Sequence, residues 1–140
     1  MKRASSVIAA IAALLGAAAC AQTPAAGDHP PIVGAWDVTA IDGAAVPADV
    51  TATVAFAEDG QVSGVGGCNR YGGRYSYAGG VVTVSELFAT KMACMEPNKM
   101  DVETKFHQRF TGDLKVALAS GGALTLGADA GSLVLRPAAQ

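Results

Sequence analysis

From Ile32 onward the chain alternates apolar and polar residues in short runs, and nearly every run ends in a glycine-bearing turn. Successive side chains of an extended strand point to opposite faces, so a period of two places one apolar face inward. Trp36, Val38 and Ala40 share a face in the first run, and Ala52, Val54 and Phe56 in the second. Glu58-Asp59-Gly60-Gln61 carries an Asp-Gly pair, the signature of a type I′ hairpin, and Val62 leads out of it. Residues 73–77 and 81–84 flank Ala78-Gly79-Gly80, a second tight hairpin, and residues 87–90 add a short strand. Leu114, Val116 and Leu118 alternate, then Leu124 with Leu126 and Leu133 with Leu135. Short strands at near-regular spacing joined by hairpin turns imply an antiparallel sheet.

One segment breaks the period. Over 97–110, Val102, Phe106 and Phe110 recur at i, i+4 and i+8, with Lys99, Asp101, Glu103, Lys105 and His107 between them. Pro97 suits a first helical turn and Gly112 a stop, which predicts an amphipathic helix with His107 on its solvent face. The expected fold is therefore α+β and mainly antiparallel β. About eight short strands form a partly open barrel or strongly curved sheet. The helix, over about 97–110, covers one face or plugs the opening.

The N-terminus sets the compartment. Met1-Lys2-Arg3 is a short basic region, and residues 7–19 are an apolar run broken only by Gly16. That length fits a signal peptide and falls short of the ~20 residues of a spanning helix. Ala17-Ala18-Ala19 before Cys20 resembles a lipobox, with cleavage before Cys20 and acylation of that residue. The alternative is cleavage after Ala19-Cys20-Ala21 as an A-x-A site, giving a soluble periplasmic or secreted protein. Ala21 is not Asp, so an acylated chain is expected at the outer membrane, facing the periplasm. Residues 1–19 are thus read as a signal peptide and 20–31, rich in Ala, Pro and Gly and including His29, as a flexible tether. Residues 32–136 form one domain. The formal net charge is −2, from ten Lys and Arg against twelve Asp and Glu. Two of those bases and none of the acids lie in the leader, so the mature chain is more acidic still. With no basic cluster, nucleic acid is not an expected partner. The lipid anchor supplies a membrane, an envelope protein is the expected partner, and the chain is expected to be a monomer.

Cys68 and Cys94 remain in the domain. In an oxidising envelope an even count favours a disulfide, which would close a loop of about 27 residues and contribute up to ~3.5 kcal/mol. The other reading makes one of them a catalytic thiol, although neither has a His nearby in sequence.

Gly34-x-Trp36-x-Val38 and Ile41-Asp42-Gly43 resemble the opening of META/HslJ-like domains. So does Phe56-x-x-Asp59-Gly60-x-Val62-x-Gly64-x-Gly66-Gly67-Cys68-Asn69-Arg70-Tyr71-x-Gly73-x-Tyr75. Thr90-Lys91-Met92-Ala93-Cys94, Glu103 and Phe106, then Leu124-x-Leu126 and Gly131-x-Leu133-x-Leu135, follow in the family's order. Lys91 stands where the family more often has Arg, which keeps the charge and loses the planar fork. The resemblance implies a compact, partly open antiparallel barrel with a helix against it. It also implies an exported setting linked to heat shock, antibiotic tolerance and secretion, with no established enzymatic chemistry.

Candidate chemistry is thin. Gly67 to Gly72 has P-loop spacing, but Gly73-Arg74 replaces the Lys-Ser/Thr that would hold phosphate and metal. Ser63 and Ser76 lack a His partner other than His107 on the helix. No two His lie at metal-ligand spacing and no acidic run resembles a calcium loop, so neither a metal nor a cofactor is expected. Met92, Met95 and Met100 resemble a soft copper-ligand set, but core and helix-entry packing is the expected role. Asn69, Arg70, Tyr71 and Lys91 remain as a candidate recognition surface beside the cysteines. Their alternative is structural: Asn69 in a left-handed turn, Arg70 and Lys91 solvated or paired with Glu86, and Tyr71 packed. The expected function is a non-enzymatic envelope lipoprotein acting as a binding or assembly-support module in envelope stress tolerance or secretion. The alternative is a carrier of a lipid or hydrophobic drug in a half-open barrel lined by Trp36, Val54, Phe56 and Phe106.

Overall fold

The computed structural model describes residues 30–139. The expected signal peptide, Cys20 and the expected tether up to His29 lie outside the described residues. Nine strands and one helix follow in order: β1 (Gly34–Ile41), β2 (Ala44–Ala45), β3 (Thr51–Phe56), β4 (Gln61–Gly67), β5 (Arg70–Ala78), β6 (Val81–Ala89), α1 (Pro97–Arg109), β7 (Gly112–Leu118), β8 (Leu124–Ala128) and β9 (Gly131–Pro137). Neighbours pair antiparallel, β3 lies beside β1, and β9 returns to pair with β1 as well. Eight strands thus close a barrel, and β2 is a two-residue addition on β1. Closure removes the free edges that a partly open sheet would leave, a feature that alternation alone does not encode.

Two hairpins have the tight geometry that glycine permits. Asp42 and Gly43, between paired Ile41 and Ala44, both have positive φ (51° and 80°) and make the type I′ turn. Gly79 and Gly80 do the same between Ala78 and Val81. The Asp59-Gly60 turn differs from expectation. Only Gly60 has positive φ there, the amide of Ala57 donates to the Gln61 carbonyl, and the loop is a three-residue type with a glycine bulge.

A second difference lies in β1. Its pairing with β9 slips between Val38 and Ala40, so Thr39 is an extra residue and the inward parity changes. Trp36 and Val38 are buried as expected, but Ile41 rather than Ala40 completes the inward set. Leu118, expected inward, is about half exposed at the end of β7.

The barrel is filled from within and plugged. Val54, Val82, Leu124, Leu126, Leu133 and Leu135 are fully buried, and the helix inserts Phe106 and Phe110 among them. Phe106 stacks on Phe110 at 5.0 Å and meets Tyr71 at 5.1 Å, while Phe56 contacts Tyr75 at 4.9 Å. Helix α1 packs against β4, β9 and β3. It comes so near β4 that a Cβ at Gly67 would lie 2.6 Å from the Lys99 carbonyl oxygen. Arg109 at its C-terminus forks onto Asp42, with Nη2–Oδ2 at 2.8 Å, and Asp42 also accepts the Ser132 amide at 3.0 Å. Where β1 begins, Ile32 is fully buried and its carbonyl accepts the Trp36 indole N–H at 2.8 Å.

His107 departs from its expected solvent face. A Cβ on Gly66 would lie 3.1 Å from His107 Nε2, because the ring lies over that glycine. Its edge meets Tyr71 at 5.8 Å, and Nε2 is buried without a hydrogen-bond partner. Burial pushes its pKa below the ordinary value, against the opposing charge of Glu103.

Candidate functional site

The two cysteines are bridged, with Cα atoms 6.0 Å apart, which joins the β4–β5 connection to the segment entering α1. On the Cys68 side lies Asn69, only 2% exposed. Its Oδ1 accepts the Thr90 hydroxyl at 2.9 Å and the Met92 amide at 2.6 Å. Its Nδ2 donates to the Met92 carbonyl at 3.1 Å and to Glu103 Oε1 at 2.8 Å. Both backbone amides of Cys68 and Asn69 donate to Glu103 Oε2, at 3.1 Å and 2.5 Å. Every hydrogen-bonding position of the amide side chain is therefore taken. Burial of Glu103 opposes its ionisation, but hydrogen bonds from the Asn69 side chain and the two amides outweigh it and hold the carboxyl below its ordinary range. Asn69 is not in the left-handed region; the positive φ of this connection falls on Gly67, at 129°.

Tyr71 also turns inward, at 4% exposure. It pairs with Gly64 across β4 and β5, and its ring lies over that glycine so that the hydroxyl reaches the Thr53 carbonyl at 2.8 Å. A Cβ on Gly64 would lie 2.8 Å from Tyr71 Oη, so only glycine leaves room for this bond. Thr53 Oγ1 in turn accepts the Val65 amide at 3.1 Å. Burial pushes the phenol far above its ordinary pKa.

The expected recognition quartet therefore divides. Asn69 and Tyr71 are interior, because both find internal partners that water would otherwise supply, and they present no surface. Arg70 and Lys91 are exposed. The structure adds three apolar side chains beside them: Phe88 is 71% exposed, Met92 60% and Met95 92%. The expected packing role for Met92 and Met95 is thus corrected, while Met100 on α1 is half-buried. Phe88 faces outward because β6 bulges. Val82 and Val84 face inward, and simple alternation would carry Phe88 inward too. The pairing of β5 and β6 slips between Gly72 and Arg74, Glu86 takes a positive φ of 53°, and Leu87 becomes the inward residue. The far end of the Phe88 ring then lies over Gly72, where a Cβ would come within 2.7 Å of Cζ. Across β5 and β6, Arg70 and Phe88 share this outer face. Ser63, Gly72, Arg74, Glu86 and Phe88 border a shallow surface cleft of about 320 Å³.

The Glu103 carboxylate is engaged by three N–H donors, and the sulfurs of Cys68 and Cys94 are joined to each other. Among the described residues no three His, Cys, Asp or Glu side chains converge as a metal site would require. The residues that a carrier would use to line its cavity, Trp36, Val54, Phe56 and Phe106, are the packed core itself.

The family model of the META domain matches residues 31–140. The chain belongs to the META-domain family. Its solved likenesses agree with the barrel described above. One, an NMR structure, superposes with a TM-score of 0.64 at 22% identity, covering 76% of this chain and 93% of its own. Another, the NMR structure of a protein from Burkholderia xenovorans, gives 0.64 at 23% identity, covering 85% of this chain and 95% of its own. At that identity the likeness speaks to fold alone. No curated protein matches the sequence. Within this META domain, Gly64 clears the Tyr71 ring, Gly67 admits α1, and Glu103 receives the amides of Cys68 and Asn69.

Proposed function

We propose that this META domain is a non-enzymatic binding or assembly-support module of the cell envelope. An acylated Cys20 holds it at the outer membrane, and the tether of residues 20–31 carries it into the periplasm. It meets an envelope protein through Arg70, Phe88, Lys91, Met92 and Met95. The observation that carries the reading is the exposure of Phe88, Met92 and Met95 around a segment fixed by a disulfide and by Asn69. Large apolar side chains held rigidly in water favour association, since burying each against a partner is worth about 1.5–3 kcal/mol before ordering costs. Rigidity lowers that ordering cost, and the two cations supply orientation. The filled barrel favours an outer surface over an interior ligand as the working part.

Crosslinking in cells under heat or antibiotic stress tests this. The expected result is recovery of a discrete envelope protein with the wild-type chain and its loss with Arg70→Glu or Phe88→Ser at unchanged expression. Recovery of none under either stress, or equal recovery with both variants, would overturn it. The intact mass of the mature chain separately reports whether Cys20 is acylated.

A further inference from the structure

We infer that Met92 and Met95 form a reversible oxidation site that switches the proposed binding surface off. The switch rests on that reading of the surface; the site itself rests on exposure and on how the local backbone is held. The chain has four methionines. Apart from Met1, all fall within residues 92–100 and they differ sharply in accessibility. Met95 is 92% and Met92 60% exposed, whereas Met100 is half-buried on α1. Thioether oxidation follows access to the sulfur, so the three form a graded series.

The fold is insulated from that chemistry. The Met92 backbone is held on both sides of its Cα by Asn69, its amide donating at 2.6 Å and its carbonyl accepting at 3.1 Å. Cys94, between the two thioethers, is bridged to Cys68. Oxidation at either sulfur alters the surface and leaves the clamp beneath it in place. The bridge also leaves no thiolate at this site to consume the oxidant first.

The reactant is a hypohalous acid or a hydroperoxide. With hypochlorous acid, the thioether sulfur attacks oxygen, an S–O bond forms and the O–Cl bond breaks. Chloride leaves with the electron pair, the hydroxyl proton goes to water, and sulfur has lost two electrons. The sulfoxide is a strong acceptor on what was an apolar side chain. Burying it against an apolar partner surface without a donor is unfavourable, so the oxidised form releases its partner. Methionine sulfoxide reductases, one for each sulfoxide epimer and both drawing two electrons from a dithiol, reverse the step and release the oxygen as water.

The test oxidises the full chain with hypochlorous acid in small molar excess and maps its peptides over time. Gains of about 16 Da are expected at Met95 first, Met92 next and Met100 last, with an unchanged melting temperature and full reversal by the two epimer-specific reductases together. Mapping separates any oxidation of Cys20. Oxidation of Met100 as early as Met95, or loss of the fold when only Met92 and Met95 are modified, overturns the site. The switch is read by crosslinking to the same envelope partner with the wild-type chain unoxidised, oxidised, and oxidised then treated with both epimer-specific reductases. Partner loss on oxidation, with recovery after reduction, supports it. Retention by the oxidised chain, or a loss that reduction does not restore, rejects the switch while leaving the binding reading intact. Recovery of no partner even by the unoxidised chain rejects the binding reading and the switch together, and the mapping result still decides the oxidation site.

Discussion

The two sides of the Cys68–Cys94 bridge invert the usual relation between polarity and burial. On the Cys68 side a polar side chain, Asn69, is almost wholly buried. On the Cys94 side apolar side chains, Met92 and Met95, stand in water. Each placement has an energetic consequence. A buried amide is tolerated because Glu103, Thr90 and Met92 meet all its hydrogen-bonding positions, so it acts as a structural clamp between the β4–β5 connection, the 90–92 segment and α1. Exposed thioethers contribute little to the fold and are free to meet another surface. In this META domain the polar side chain nearest the cysteines holds the structure together, and the surface proposed to meet a partner lies with its apolar neighbours.

The comparison can be broken first at Asn69. Asn69→Ala removes four side-chain hydrogen bonds and strands the Met92 amide and carbonyl together with one Glu103 oxygen. A loss of about 3–5 kcal/mol is expected in urea unfolding. A loss below 1 kcal/mol would mean that water replaces the clamp at no cost. Next comes the bridge. Replacing both Cys68 and Cys94 by Ser should cost up to ~3.5 kcal/mol, seen as a lower denaturation midpoint that reductant no longer changes. Tyr71→Phe keeps the ring and leaves the Thr53 carbonyl without its hydroxyl donor, for an expected cost of about 1–3 kcal/mol.

A smaller effect is a pH dependence, limited by the partial access of water to Glu103. Because the folded-state pKa of Glu103 is depressed, its contribution is present above the ordinary value of 4.5 and is lost as pH falls through the folded value. His107 acts in the same direction in a higher window. It stays neutral in the fold while the unfolded chain takes up a proton near 6.5, so stability declines as pH falls from about there to its folded pKa. Glu103→Gln should flatten the acid limb and, by removing the charge that opposes the depression at His107, extend the His107 limb to lower pH, whereas His107→Phe should flatten the limb near neutrality. Melting temperatures across pH 3–8 check both.

Much of the barrel was legible in the sequence, and the misses have two causes, bulges and distant partners. Alternation placed the strands, the 3.6-residue spacing of Val102 and Phe106 placed α1, and the Gly79-Gly80 turn fell where it was expected. A bulge changes parity without leaving a mark in composition. Thr39 exchanged Ala40 for Ile41 in the core, and the Glu86 bulge turned Phe88 outward. Asn69 was visible as a polar residue in a glycine-rich connection, but its burial depends on Glu103, 34 residues away, which local pattern cannot supply. For Arg70 and Lys91 sequence was enough, since long charged side chains at the start of a strand and in a loop remain in water.

The division across the bridge is tested most directly by one urea-unfolding measurement on two chains, Asn69→Ala and the triple variant Phe88→Ser/Met92→Ser/Met95→Ser. The account predicts that the triple variant stays within about 1 kcal/mol of wild type while Asn69→Ala falls by several times that amount. A triple variant destabilised as much as Asn69→Ala would show that the exposed apolar residues hold the fold, and would contradict the account.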